Sequence, residues 1–221
     1  MEKKKKQIRL DRPNVVGAIH TEGGFSQTSG IDAAEVRVDL LPDAPSRAAF
    51  AQVACPIILT VRRQDEGGGR DWDDAQRRAL YGKYLPKAAA IDLELRSLEA
   101  FDEIVDLARE KRRLVIASYH DFEKTPSLRV LRRVEAQGRE AGIDIVKIAT
   151  KTESPADVAR LLELQASATG PLSVMGMGTL GRASRLLFAK AGSVLNYGWL
   201  DQPQVPGQWS AQEFGELLRR A

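Results

Sequence analysis

The amino-acid sequence predicts a single-domain (β/α)8 TIM barrel, and three observations predict it. Short apolar runs rich in Val and Ile recur eight times, segments of helical periodicity fall between them, and no linker interrupts the alternation. The strands are expected at residues 15–20, 35–40, 57–62, 89–95, 114–120, 144–149, 172–176 and 194–198. Helices are expected at 46–54, 72–84, 98–112, 127–141, 154–168, 182–191 and 210–220. The stretch after the first strand, 21–34, is rich in Gly, Ser and Thr and is expected to be a loop. Residues 98–108 space their apolar side chains at three and four, which gives one buried stripe and one charged face. The helix at 154–168 opens with Ser154-Pro155-Ala156-Asp157, where proline takes the first helical position and an acid meets the positive end of the helix dipole. An open doubly wound sheet would carry a Gly-rich fingerprint after its first strand, and Gly23-Gly24 does not match it.

Composition narrows the class. A chain of 221 residues with 43% hydrophobic and 29% charged residues has enough apolar surface for a substantial core, which excludes long disorder. The pI of about 9 invites a polyanion reading, but the charge sits at one end. Lys3 to Lys6 and Arg9 against Glu2 give the first ten residues a net +4, the whole chain carries +3, and the remainder is therefore −1. Residues 1–12 are expected to form a basic flexible tail and residues 13–221 the barrel, with no nucleic-acid or membrane partner. No apolar run follows the tail that could serve as a signal or spanning segment, and a cytoplasmic protein is expected. Cys55 is the single cysteine; it precedes Pro56 at the non-catalytic end of a strand and is expected to be a small buried hydrophobe. No cluster of ligating residues has metal spacing, so no metal is expected.

The polar residues within or ending the strands are unsuited to a passive core. They are Glu35, Arg37 and Asp39; Arg62; Asp92 and Glu94; Ser118 and His120; Lys147; and Arg185 just beyond the seventh strand. Inward positions of a small barrel are mostly branched and apolar, and an isolated buried charge must be paired or bound to ligand. So many charges at one level indicate a polar pocket at the end of the barrel where the strands finish. Lys147 lies in Ile-Val-Lys-Ile-Ala, where apolar neighbours would desolvate the ammonium and supply the neutral amine that imine chemistry needs; the alternative is a strand-end lysine reaching for water. His120 is either an acid–base group or a satisfied structural histidine. The Gly-rich run from Met175 to Gly181 permits close backbone approach at a helix start, but it lacks the order of a P-loop. Arg185 after it is either a fork for a carboxylate or a surface arginine.

Taken together, these motifs resemble type I 3-dehydroquinate dehydratase, the Schiff-base class, from about Pro13 to the C-terminus. The matching motifs are Glu35-Val-Arg37-Val-Asp39, Thr60-Val-Arg62 with Glu66-Gly67-Gly68, Asp92-Leu-Glu94, Ser118-Tyr-His120-Asp121-Phe122 with Thr125-Pro126, Val146-Lys147-Ile148-Ala149, Gly181-Arg-Ala-Ser184-Arg185, and Pro206-Gly207-Gln208. The resemblance implies that Lys147 forms an imine with 3-dehydroquinate, that His120 is the general base and then acid, and that Glu94 orients His120. It further implies that Glu35, Arg37 and Arg62 hold ring hydroxyls, that Arg185 pairs with the substrate carboxylate, and that Gln208 closes over the site from a loop. No cofactor is implied beyond the covalent imine, and a homodimer in the shikimate pathway is. The sequence departs from the family pattern at Gln204, where a serine is usual, and at Lys151, a second lysine near the mouth. The first departure bears on loop closure and affinity rather than on imine chemistry. Two other readings stand beside this one: a class I aldolase-like Schiff-base barrel, which normally takes a phosphorylated substrate, and a catalytically weakened or non-catalytic barrel homologue.

Overall fold

The computed structural model describes residues 7–203 and 208–220. All eight expected strands form: β1 (Asn14–Ile19), β2 (Ala33–Arg37), β3 (Ile57–Thr60), β4 (Ala90–Glu94), β5 (Leu114–Asp121), β6 (Ile145–Lys151), β7 (Leu172–Met177) and β8 (Leu195–Trp199). Every pairing is parallel, and the ladder runs β7-β6-β5-β4-β3-β2-β1-β8. The ring is nearly closed at the β7–β8 seam. There Val194 N–H donates to Leu172 O at 2.9 Å, and two serine hydroxyls replace ladder bonds: Ser173 Oγ donates to Leu195 O at 2.6 Å and Val174 N–H donates to Ser193 Oγ at 3.0 Å.

Among the described residues seven α-helices cover the outside: α1 (Arg47–Gln52), α2 (Asp74–Tyr84), α3 (Asp102–Glu110), α4 (Leu128–Glu140), α5 (Pro155–Ala166), α6 (Gly181–Lys190) and α7 (Ala211–Arg220). Local chemistry sets their ends. Ser154 and Asp157 form a reciprocal capping box on α5, and Asp73 and Gln76 form another on α2. Helix α1 is shorter than expected because Cys55-Pro56 follows it, and proline pushes the preceding chain toward extended backbone. The segment expected as a helix from 98 begins with a short 3-10 turn, Glu99–Phe101, and another, Leu95–Ser97, precedes it. There Phe101 inserts edge-on to Tyr81, with the Arg77 guanidinium 4.7 Å above its ring. The loop 21–34 contains one 3-10 turn, Glu22–Ser26, and no α-helix. Helix α3 ends on Arg112 at φ 53°, the position that glycines take after α4 (Gly142) and α6 (Gly192).

Two layers of packing follow from strand alternation. The outward side chains Leu59, Ile91, Leu93, Val115 and Ala117 meet the helices, and Val146, Ile148 and Val174 do the same farther round. The inward Val16, Ala33, Ile58, Ala90, Ile116 and Ile145 fill the barrel floor. Ile8 joins that floor, 6% exposed, and Asn14 ties the segment down by donating to Arg9 O at 2.6 Å. The segment 7–12, expected as part of a flexible tail, is thus anchored to the barrel through Ile8 and the partly buried Leu10, with Gln7, Arg9, Asp11 and Arg12 exposed. The lysine run from Lys3 to Lys6 lies outside the described residues, as does Gln204. Cys55, expected to be buried, is half-buried against the core at the β3 entry. Among the described residues no helix is long and apolar enough to cross a membrane.

Candidate active site

The alternation that puts apolar residues on the barrel floor puts polar residues above it. Two residues up from Ala33, Ile58, Ala90, Ile116 and Ile145 stand Glu35, Thr60, Asp92, Ser118 and Lys147. Two further up stand Arg37, Arg62, Glu94, His120 and Ala149. The expected site residues Glu35, Arg37, Arg62, Glu94, His120 and Lys147 are therefore brought to one end of the barrel by strand periodicity and the parallel register together.

Lys147 is 4% exposed. Its Nζ donates to Asp92 Oδ2 at 2.8 Å and Glu35 Oε1 at 3.4 Å, and lies 4.1 Å from the centre of the Tyr197 ring. The apolar setting expected for this amine is corrected by the fold: Val146 and Ile148 face outward, and the ammonium meets two carboxylates and an aromatic face. Glu35 also accepts from Thr60 Oγ1 at 2.9 Å. Burial works to raise the Asp92 carboxyl, but Arg62 and Lys147 outweigh it and hold the group well below the ordinary range.

Arg62 links the two polar layers. Its Nη2 reaches Asp92 Oδ1 at 2.8 Å, and Nη1 donates to Ser118 Oγ at 2.5 Å and Glu94 Oε1 at 3.3 Å. Arg37 forks onto Asp39 at 3.1 and 2.7 Å and donates to Gly67 O at 2.8 Å, which ties the loop after β3 to the end of β2. Asp39 anchors the same loop from below, accepting from Arg62 N–H at 3.1 Å and Gly69 N–H at 3.3 Å.

The carboxylate that faces His120 is not the expected one. His120 Nδ1 lies 3.0 Å from Glu66 Oε2, and its ring stacks on Phe122 with centroids 6.0 Å apart. Glu94 is fully buried and otherwise engaged: Oε1 accepts from Arg63 N–H at 3.0 Å and from Arg62, and Oε2 accepts from Arg77 of α2. The contact to His120 expected of Glu94 is made by Glu66, because Glu94 ends β4 against the arginines, whereas the turn at Gly67 (φ 84°) folds Glu66 over the mouth. Burial lowers His120 well below its usual value, reinforced by Arg62 and Lys147, so the ring is neutral. Burial raises Glu66 to about 7, with Arg62 opposing the shift and Glu94 adding to it. Glu94 is held low, since Arg62 and Arg77 outweigh its desolvation.

Arg185 projects from α6 and is 8% exposed. Its Nε donates to Gly176 O at 3.2 Å and Nη1 to Tyr197 O at 2.8 Å, and among the described residues it has no carboxylate partner. Burial lowers it to about 10. A buried cation bonded only to carbonyls is electrostatically incomplete, and an anion at the mouth would complete it. Gly176 beneath it admits no larger residue, since a Cβ there would meet Ser184 Oγ at 2.2 Å. Gln208 lies on the far side of the undescribed stretch, with its carbonyl held at 3.1 Å by Trp199 Nε1.

These features coincide with a known family. A family model described as type I 3-dehydroquinase matches residues 18–220. The chain belongs to the type I 3-dehydroquinase family. It is 36% identical over 212 residues to the 3-dehydroquinate dehydratase of Methanocella arvoryzae, covering 94% of this chain and 96% of that one. The catabolic 3-dehydroquinate dehydratase of Acinetobacter baylyi is 32% identical, with 88% and 78% covered. Among solved structures, the 3-dehydroquinate dehydratase of Aquifex aeolicus superposes with a TM-score of 0.82 at 31% identity, covering 93% of this chain and 98% of that one. The type I enzyme of Clostridium difficile, solved with covalently modified comenic acid, superposes with a TM-score of 0.84 at 27% identity over 95% and 92%. The (β/α)8 barrel and membership of a hydro-lyase family are therefore established for this chain.

Proposed function

We propose that this chain removes water from 3-dehydroquinate to give 3-dehydroshikimate through an imine at Lys147. The observation that carries the proposal is the placement of Lys147 inside the barrel, one polar layer below His120 on the adjacent strand, in register through the Ser118–Lys147 and His120–Ala149 pairs. The Lys147 ammonium yields a proton to an adjoining carboxylate, the freed amine adds to the ring ketone, and that proton leaves with the expelled water as the iminium forms. The iminium serves as the electron sink, so no cofactor is required. His120 abstracts the adjacent carbon-bound proton. A carboxylate can only accept, so Glu66 takes Nδ1–H and leaves Nε2 as the base. The resulting enamine expels the ring hydroxyl, which takes a proton back from His120 and leaves as water. Hydrolysis then consumes one water and frees Lys147, giving a net loss of one water per turnover.

Asp92 and Glu35 hold the Lys147 ammonium before reaction and stabilise the iminium after it, because both states carry one positive charge. Arg185 takes the substrate carboxylate, and Arg37 and Arg62 set the ring hydroxyls. Gln208 and Gln204 act from the closing segment. The family resemblance supports placing the chain in the shikimate pathway, toward aromatic amino acids, as a cytoplasmic homodimer. The test is ultraviolet detection of the conjugated enone from 3-dehydroquinate, with borohydride trapping and mass spectrometry beside it. The parent should yield product and a reduced adduct at Lys147, and Lys147→Ala neither. Turnover by Lys147→Ala, or an adduct on another residue, would refute the imine assignment.

A further inference from the structure

A single carboxylate, Glu66, is shared between two partners on its two oxygens. Oε2 faces His120 Nδ1 at 3.0 Å and Oε1 receives Arg96 Nε at 2.8 Å. Arg96 sits in the 3-10 turn directly after β4, and its Nη2 reaches Asp65 Oδ1 at 2.5 Å. One residue before that turn, Glu94 accepts from Arg63 N–H at 3.0 Å. The exit of β4 therefore grips the β3 exit loop twice, once by backbone at Arg63 and once by side chain at Asp65 and Glu66. Beyond Arg96 a cavity of about 830 Å³ opens between α3 and α4, from Glu66 and His120 to Gln137 and Ile143. Arg96 and Glu66 both line that cavity, so the Arg96 contact holds the carboxylate on the histidine side of it.

We infer that Arg96 is a positioning residue for the proposed dehydration: it fixes the Glu66 carboxylate against His120 and so keeps Nε2 available as the base. The inference rests on the imine reading for what the base does, but the contact chain Arg96–Glu66–His120 exists without it. The charged and titratable groups around Glu66 are Arg62 just after β3, Asp65 on its own loop, Glu94 and Arg96 at the end of β4, and Tyr119 and His120 on β5. Arg62 is committed to Asp92, Ser118 and Glu94. Arg96 is thus the cation in direct contact with Glu66, and it opposes the desolvation that raises this carboxyl to about 7. Its side chain is 51% exposed, and the Glu66 carboxyl it leaves behind keeps the His120 contact and takes up a proton near neutrality, so the fold should survive its replacement.

The experiment compares the pH dependence of kcat for 3-dehydroquinate in the parent, Arg96→Gln and Arg96→Lys. Alongside it, ring resonances of His120 are titrated by NMR, with His20→Gln to assign the chain's two histidines. For a half-exposed ion pair, Arg96→Gln should move the acid limb upward by about half a pH unit, a roughly threefold loss of kcat on that limb. At alkaline pH kcat should stay within about twofold of the parent, and KM should be unchanged within about twofold, because Arg96 does not reach the substrate. Arg96→Lys should restore most of the limb. Superimposable profiles, a pH-independent loss with an unmoved limb, or Arg96→Lys no better than Arg96→Gln would each overturn the inference. If the parent itself shows no turnover, the proposed reaction fails separately. The NMR titration then still decides, since Arg96→Gln must shift the titration of the Glu66–His120 pair for the positioning role to stand.

Discussion

Glu66 and Glu94 lie close together on adjacent elements, yet exchanging each for glutamine should give opposite phenotypes. Glu94 is fully buried between Arg62 and Arg77, so Glu94→Gln takes one carboxylate partner from each of two buried guanidinium groups, leaving Arg62 its bond to Asp92 and Arg77 its bond to Asp74, while keeping an acceptor for Arg63 N–H. Breaking a buried pair costs about 3–5 kcal/mol, and at about 2–4 °C per kcal/mol for a chain of this length Tm should fall by roughly 6–20 °C. Because Glu94 titrates below its unfolded value, its stabilisation is present above the ordinary glutamate range and is lost as pH falls through the folded value. The Tm gap between Glu94→Gln and the parent should therefore close in acid. Glu66 has the opposite sign. Raised to about 7, it favours the fold while protonated, and that contribution is lost as pH rises through 7. Glu66→Gln should therefore match or exceed the parent in Tm at pH 8. Its kcat should fall at least about tenfold, part of the ~10²–10⁴ that a positioned base supplies, and the acid limb near pH 7 should disappear. Scanning calorimetry and pH–rate profiles of the two variants are the assays. Unchanged kcat and limb in Glu66→Gln, together with a lost limb and an unchanged Tm in Glu94→Gln, would refute the reassignment of the histidine's partner from Glu94 to Glu66.

Arg185→Met should raise KM about 10- to 150-fold, the loss of a charge-assisted bond to a carboxylate of about 1.5–3 kcal/mol. In the same variant Tm should rise, because the buried guanidinium has no carboxylate partner among the described residues; a fall in Tm with unchanged KM would count against its role as the anion anchor. Arg112→Gly should raise Tm by about 2–4 °C, since a left-handed backbone at φ 53° costs a side-chain-bearing residue about 1 kcal/mol. Steady-state activity should not change, because Arg112 lies after α3 and before β5, away from the mouth.

Much of the site was legible because strand periodicity is a local property. The alternation in Glu35-Val-Arg37 on β2, Asp92-Leu-Glu94 on β4, Ser118-Tyr-His120 on β5 and Val146-Lys147-Ile148 on β6 already separates inward from outward side chains. Parallel barrel topology then delivers the late inward residues of these strands to the same end. Helix boundaries were less legible where long-range packing intervened, as at Phe101, whose burial against Tyr81 and Arg77 breaks the start of α3 into a 3-10 turn. Ile8 was concealed for a related reason: one apolar residue beside a lysine run reads as tail until a barrel floor exists for it to cover. Glu66 was visible within the Glu66-Gly67-Gly68 motif but carried no periodicity to place it, because it lies in a loop whose path depends on Gly67 and on bonds from Arg37, Asp39 and Glu94.

The amino-acid sequence by itself determined the eight-fold alternation, the inward set of charged residues and the barrel end at which they gather. Each of these follows from short-range sterics and from hydrophobic spacing along single elements. Only the tertiary structure decided which charge meets which. Lys147 is paired with Asp92 and Glu35, His120 lies against Glu66, Glu94 is bound to Arg62 and Arg77, and Arg185 donates to the Gly176 and Tyr197 carbonyls. The physical reason is that electrostatic pairing depends on distance and burial between residues far apart in the chain, and strand register and loop path set both.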